Sequence, residues 1–149
     1  MREIVSPYDY SECFFCGGAN PIGLKLKFYV SASDPKEVIC RWKPPALYLG
    51  LGRVLHGGIQ SGIFDEIMGW TAMHLTEKVG VTSWLKVQFL KPLFVQQDIE
   101  ARCSVSAVEG ASIILAAEIR DESNMVCTEA TGSYILMERD RFERLVRVE

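Results

Sequence analysis

Leu55-His56-Gly57-Gly58-Ile59-Gln60-Ser61-Gly62-Ile63-Phe64-Asp65-Glu66-Ile67-Met68-Gly69-Trp70-Thr71-Ala72-Met73-His74-Leu75-Thr76 is the stretch that decides how this chain folds. From about Ile59 to Thr76 its apolar residues recur with a helical period. At 100° steps Ile59, Trp70, Ile63 and Ile67 fall on one side, with Phe64, Leu75 and Met68 beside them. Almost no face is freely polar. A helix apolar nearly all round is buried rather than laid on a surface, and this one runs about 27 Å at ~1.5 Å per residue. The remaining face carries Ser61, Ala72, Asp65, Thr76, Gly69 and Gly62, small residues around one carboxylate. A glycine inside a helix costs roughly 1 kcal/mol relative to alanine, so something needs the space that Gly62 and Gly69 leave. A closely packed neighbouring helix or a ligand channel would each satisfy that requirement.

On either side of this helix the period changes to two. Leu24, Leu26, Phe28 and Val30 alternate with Lys25, Lys27 and Tyr29, as in a half-buried strand. Asp34-Pro35 makes a turn, Val38, Cys40 and Trp42 continue the alternation, and Pro44-Pro45 ends it. After Gly80 the pattern returns with Leu85, Val87 and Phe89 up to Pro92, then Ile99 to Ala107, Ile113 to Ile119 and Val126 to Met137. Short turns between the later strands imply antiparallel pairing. Two strands, one long buried helix and four strands make one α+β domain spanning residues 1–149, with a curved antiparallel sheet of about six strands around the helix. Residues 1–22 read as a loop-rich lead-in and residues 138–149 as a charged tail.

Composition narrows the function. The chain has 149 residues, 48% hydrophobic and 23% charged, with a formal net charge of −3 and no run of consecutive basic residues. Duplex nucleic acid is therefore a poor partner, since its binding calls for a concentrated basic face. No stretch approaches the ~20 apolar residues that cross a bilayer, so no membrane association is expected. Five cysteines and no secretion signal point to the cytoplasm rather than to a disulfide framework. Cys13 and Cys16 have CxxC spacing, but zinc needs two further ligands, and neither a second CxxC nor a paired histidine exists. The expectation is packing near a pocket mouth, with no metal.

The residues Leu55-His56-Gly57-Gly58-Ile59 followed by Asp65-Glu66 resemble the helix-start motif of hotdog-fold acyl-CoA thioesterases of the phenylacetate-pathway group. Cys13-Phe14-Phe15-Cys16-Gly17 with Asn20-Pro21-Ile22-Gly23-Leu24 resembles one branch of that group, and so does Thr82 through Pro92. The similarity covers residues 13 to about 137. It implies the hotdog fold, hydrolysis of an acyl-CoA thioester and no cofactor beyond the coenzyme A of the substrate. It also implies a homodimer or homotetramer with active sites between subunits.

Thioester hydrolysis needs a donor for the developing oxyanion and a base for water. A buried helix start offers free N–H groups and partial positive charge, and Gly57 has no side chain to block a carbonyl from its amide. The resemblance assigns carbonyl polarisation to Gly57, the base or nucleophile to Asp65, and a water-holding hydroxyl to Thr82. His56 shapes the loop first and reaches the thioester second. Gly58, Gln60 and Glu66 belong to the expected substrate surroundings, and Arg53, Lys86 and Lys91 are candidates for the coenzyme phosphates. Bland readings stand beside these: a flexible helix start at His56-Gly57-Gly58, a structural carboxylate at Asp65, a rim ion pair at Glu66 and plain solvation for the cations. His74 reads as a packing or dipole-complementing residue. The acyl tail is expected beside Gly62, Gly69 and Met73. One departure matters. Enzymes of the resembling group often carry an asparagine six residues before the motif histidine, and Gly50 stands there, leaving Thr82, Gln60 or Tyr48 as substitutes. A non-catalytic acyl-CoA binding protein and a hotdog hydratase or dehydratase using His56 and Asp65 are the alternatives.

Overall fold

The computed structural model describes residues 1–146. Helix α1, Gly57–Thr76, is the centre of the fold. Gln60, Ile63, Phe64, Ile67, Met68, Thr71, Ala72 and Met73 are buried along it, and Gly58 alone among its residues is exposed. Around it runs a curved, wholly antiparallel sheet of β1 (Arg2–Glu3), β2 (Tyr29–Val30), β3 (Val38–Trp42), β4 (Val79–Phe89), β5 (Ile99–Glu109), β6 (Ser112–Arg120) and β7 (Val126–Met137). The order across the sheet is β1-β2-β3-β5-β6-β7-β4, which makes β4 an edge strand. This is the hotdog arrangement expected from the sequence. A short helix α2, Arg139–Leu145, follows β7; the charged tail reaches past the described residues.

The alternation at Leu24, Leu26, Phe28 and Val30 correctly marks buried residues, yet only Tyr29 and Val30 pair in the sheet. The reason is the backbone at Lys25, whose φ of 54° breaks the extended run. Its neighbours instead donate to the lead-in: Leu24 N–H to the Phe14 carbonyl at 3.0 Å and Leu26 N–H to the Phe15 carbonyl at 2.9 Å. The lead-in is thus more than a loop. It contributes β1, buries Ile4, and lays Phe15 across α1. The fourth strand also starts earlier than expected, at Val79, with Gly80 inside it.

The two helix glycines have different uses. A Cβ on Gly62 would stand 1.9 Å from Phe15 Cζ, so the aromatic ring occupies the space glycine leaves. A Cβ on Gly69 would meet nothing within 4 Å, so that glycine opens on free volume. No neighbouring helix fills the space at Gly62: the ring of Phe15, from the non-helical lead-in, packs there instead, while Gly69 borders open space.

Gly62→Ala is expected to destabilise the fold by roughly 1–3 kcal/mol through overpacking, measured by urea unfolding. In a Phe15→Ala background the same substitution should cost little, because the clashing ring is gone. Equal costs in both backgrounds would contradict this packing.

Candidate active site

The start of α1 is capped by His56, whose Nδ1 accepts from the Gly58 N–H at 2.8 Å. The His56 carbonyl takes the N–H groups of Ile59 at 3.0 Å and Gln60 at 3.1 Å. Among the described residues nothing accepts from the Gly57 N–H. That donor is free, at the positive end of a twenty-residue helix. A Cβ on Gly57 would sit 3.3 Å from the Phe89 ring, so the approach there is narrow and flanked by an exposed aromatic.

Two turns along, Asp65 is held by hydroxyls from two strands. Thr82 Oγ1 donates to Asp65 Oδ1 at 2.6 Å, and the Tyr134 hydroxyl donates to the same oxygen at 2.9 Å. Ser83 is skipped in the β4–β7 register between Thr82 and Trp84. Such a bulge re-aims a side chain beside a site. Oδ2 of Asp65 takes no hydrogen bond among the described residues. Burial, with the Asp65 charge beside it, pushes the Tyr134 phenol well above the ordinary tyrosine value of 10. Tyr134 therefore stays a proton donor to the carboxylate.

Asp65 faces a cavity of about 300 Å³, walled also by Glu66, Gly69, Trp70, Met73, Val81 and Thr82. Gly69 makes the floor by lacking a side chain. The Trp70 indole N–H is buried and finds no partner among the described residues, and its ring stacks on Phe28 at 5.0 Å. Open space thus lies beside Gly69 and Met73. The expected extension beside Gly62 is closed by Phe15.

The other sequence candidates separate. Gln60 is 3% exposed, and both ends of its amide are used: Nε2 donates to the Leu55 carbonyl at 2.8 Å, and Oε1 accepts from Thr128. It ties the helix start to β7. The Tyr48 hydroxyl is likewise turned to the Ile22 carbonyl at 3.3 Å. Thr82 alone of the three substitutes for the missing amide reaches Asp65. A Cβ on Gly50 would stand 3.3 Å from His56 Cα, so a side chain here would press tightly on the helix cap. Gly58 spends its N–H on His56. Arg53 and Lys91 lie on segments around the helix start: the Arg53 carbonyl accepts from Val95 and its guanidinium binds Gln96, while the Lys91 N–H bonds Cys127 just past Phe89. Lys86 stands on the outer face of the sheet in a groove with Thr131, Ala116 and Ser104, away from Asp65 within this chain. Glu66 accepts from the Cys13 thiol at 3.2 Å. His74 Nε2 lies 3.2 Å from the Pro35 carbonyl, a packing role.

Tyr134 is the site residue that sequence reasoning missed. It lies in a strand whose inward positions read as core, and it is 1% exposed. Its only signal is a hydroxyl on an inward position, which needs a partner once buried.

Tyr134→Phe removes a hydrogen bond to a charged group and is expected to cost roughly 1.5–3 kcal/mol in unfolding free energy. Because burial raises the phenol's pKa, the same variant should leave the phenolate absorbance rise below about pH 11 superimposable on the wild type. A lost titration step below that pH would contradict the burial of this hydroxyl.

The sequence model of the thioesterase superfamily matches residues 52–128, more than half of the chain, spanning α1 and most of the sheet. Among solved structures, a thioesterase superfamily protein aligns with TM-score 0.74 and 20% identity over 81% of this chain; the chain spans 61% of that protein's length. The Escherichia coli PaaI protein of the phenylacetic acid degradation operon aligns with TM-score 0.69 and 17% identity, covering 76% of this chain and 80% of that one. A hypothetical thioesterase from Streptococcus pneumoniae, solved with coenzyme A, aligns with TM-score 0.65 and 18% identity over 68% of this chain and 82% of that one. No curated protein sequence matches. With a fold shared by these structures and a family match over its helix and strands, the chain belongs to the thioesterase superfamily.

Proposed function

We propose that the chain, residues 1–149 acting as one domain, hydrolyses an acyl-CoA thioester to the free acid and coenzyme A. The observation that carries this reading is the unequal use of Asp65, a residue that lines a cavity: Oδ1 is pinned by two hydroxyls, and Oδ2 has no partner among the described residues. In the proposed reaction Oδ2 takes a proton from water as the new C–O bond forms at the thioester carbon. The Gly57 N–H stabilises the oxyanion that develops. Collapse breaks the C–S bond, and the proton held by Asp65 passes to the departing thiolate. Direct attack by Oδ2 on the carbonyl carbon is the nucleophilic variant, with an acyl-enzyme that water then hydrolyses. No cofactor enters either route.

Gly57 and Asp65 are eight residues apart, about 12 Å along a helix, too far to act on one carbonyl from the same chain. A homodimer, or a tetramer built from such dimers, brings the helix start of one protomer to the Asp65 of its partner. Strand β4 supports that assembly. It is an eleven-residue edge with Trp84 and Phe89 about half exposed, the kind of edge that invites pairing. Arg53 and Lys91 are assigned to the coenzyme phosphates, near the helix start. No nucleic acid or membrane partner is proposed, and no helix among the described residues is long and apolar enough to cross a membrane. All five cysteines are free thiols, which suits a cytoplasmic location.

Three outcomes test the reading in a thiol-release assay over a panel of aliphatic and aromatic acyl-CoA esters. Asp65→Ala should lose more than ~100-fold in turnover, the scale of a general base. Gly57→Pro should lose on the order of 100-fold or more, because it deletes one oxyanion donor while proline is tolerated at the first helical position. Sedimentation should give a dimer or tetramer. Full activity in Asp65→Ala sinks the mechanism, a stable active monomer sinks the shared site, and ester binding without wild-type turnover favours a binding protein.

A further inference from the structure

Glu66, the residue after Asp65, faces the lead-in rather than a basic partner. Cys13 Sγ lies 3.2 Å from Glu66 Oε1, and the Cys16 N–H points at Cys13 Sγ from 3.4 Å. One ligand atom from each of Cys13, Cys16 and Glu66 lies within 4.8 Å of the others. The turn that gathers the sulfurs is tight. Gly17 N–H bonds the Cys13 carbonyl at 2.8 Å, and a Cβ on Gly17 would fall 2.4 Å from Cys13 N and from the Ser11 carbonyl. Only glycine closes it. The sequence reading rejected a metal because two cysteines lacked further ligands; the fold supplies a third from α1.

The electrostatics are unbalanced as they stand. Glu66 forms no ion pair among the described residues. Two thiols and a carboxylate, half-buried together, form a soft donor set that a dication binds by displacing the thiol protons. Zinc–sulfur bonds of about 2.3 Å and zinc–oxygen bonds of about 2.0–2.2 Å put tetrahedral ligand atoms roughly 3.5 Å apart. The observed 3.2 Å between Cys13 and Glu66 is already close to that, and contraction of the cluster by about an ångström completes the geometry.

We propose that Cys13, Cys16 and Glu66 form a three-ligand site for a zinc-class divalent cation at the rim of the cavity that Asp65 lines. Cys13 and Glu66 both face that cavity, so the fourth position opens toward it. Binding forms two metal–thiolate bonds and one metal–carboxylate bond and releases about two protons near neutral pH. This inference does not depend on thioester hydrolysis.

The test uses the full chain in a phosphine reductant, stripped of metal and titrated with Co²⁺ and then Zn²⁺. One Co²⁺ per chain should bind with sulfur-to-cobalt charge-transfer absorption in the near ultraviolet, and Zn²⁺ should displace it. Cys13→Ser and Cys16→Ser should weaken binding by at least about 100-fold, no less than the loss of an outer-shell partner costs. Glu66→Gln keeps an acceptor for Cys13 and guards against misfolding; it should weaken binding by about 10-fold or more. Asp65→Ala should bind cobalt like the wild type whether or not it hydrolyses thioesters. Absence of charge-transfer absorption in the folded wild type, or unchanged affinity in Cys16→Ser, overturns the site.

Discussion

Enclosure of α1 is the constraint on which the rest of the structure depends. A helix with one exposed residue in twenty must have its backbone ends, its glycines and its few polar groups all satisfied from inside the protein. Each solution leaves a mark. Gln60 spends both ends of its amide on Leu55 and Thr128. Thr71 and Thr76 turn their hydroxyls back to the carbonyls of Ile67 and Ala72. Phe15 comes in from the lead-in to fill the notch at Gly62. Against that background the unsatisfied groups stand out: the Gly57 N–H, the Oδ2 of Asp65 and the indole N–H of Trp70. Buried or recessed polar groups without partners are costly unless a ligand supplies them.

The same enclosure makes Asp65 a well-placed charge. Its oxygens are carried by a rigid helix, and Thr82 and Tyr134 belong to neighbouring strands, joined along ten registered residue pairs. Two hydroxyl donors on one oxygen hold the carboxylate and leave the other oxygen without a partner among the described residues. In the proposed reaction such preorganisation would let a proton move with little rearrangement. The cavity has one apolar side and one acidic corner, where Glu66 meets the two cysteines of the lead-in.

Periodicity made the helix legible, because apolar residues on nearly every side admit only a buried position. The later strands were legible for the same reason, from alternation and short turns. The pairing of residues 24–28 is not legible because alternation reports burial, while ladder pairing depends on Lys25, whose left-handed backbone no apolar pattern encodes. Asp65 was visible as the one carboxylate among small residues. Tyr134 and the Cys13–Glu66 contact were not, since they join residues 69 and 53 positions apart in the chain. Gln60 looks like a spare amide in the sequence, and only the position of Thr128, 68 residues away, shows that its oxygen has a structural partner. Lys86 illustrates a parity limit: alternation puts it opposite Leu85 and Val87, on the outer face, and a charge alone does not say which face a ligand takes.

The central claim is that Gly57 and Asp65 act on one thioester from different protomers. Mixing inactive Asp65→Ala chains with inactive Gly57→Pro chains tests it directly, after dissociation and reassembly at equal concentration. Random pairing makes half of the dimers mixed, each with one intact site of two, so activity should return to about a quarter of the wild-type value. If the two groups act from the same chain, every site in the mixture carries a defect and no activity returns. That second result would contradict the account.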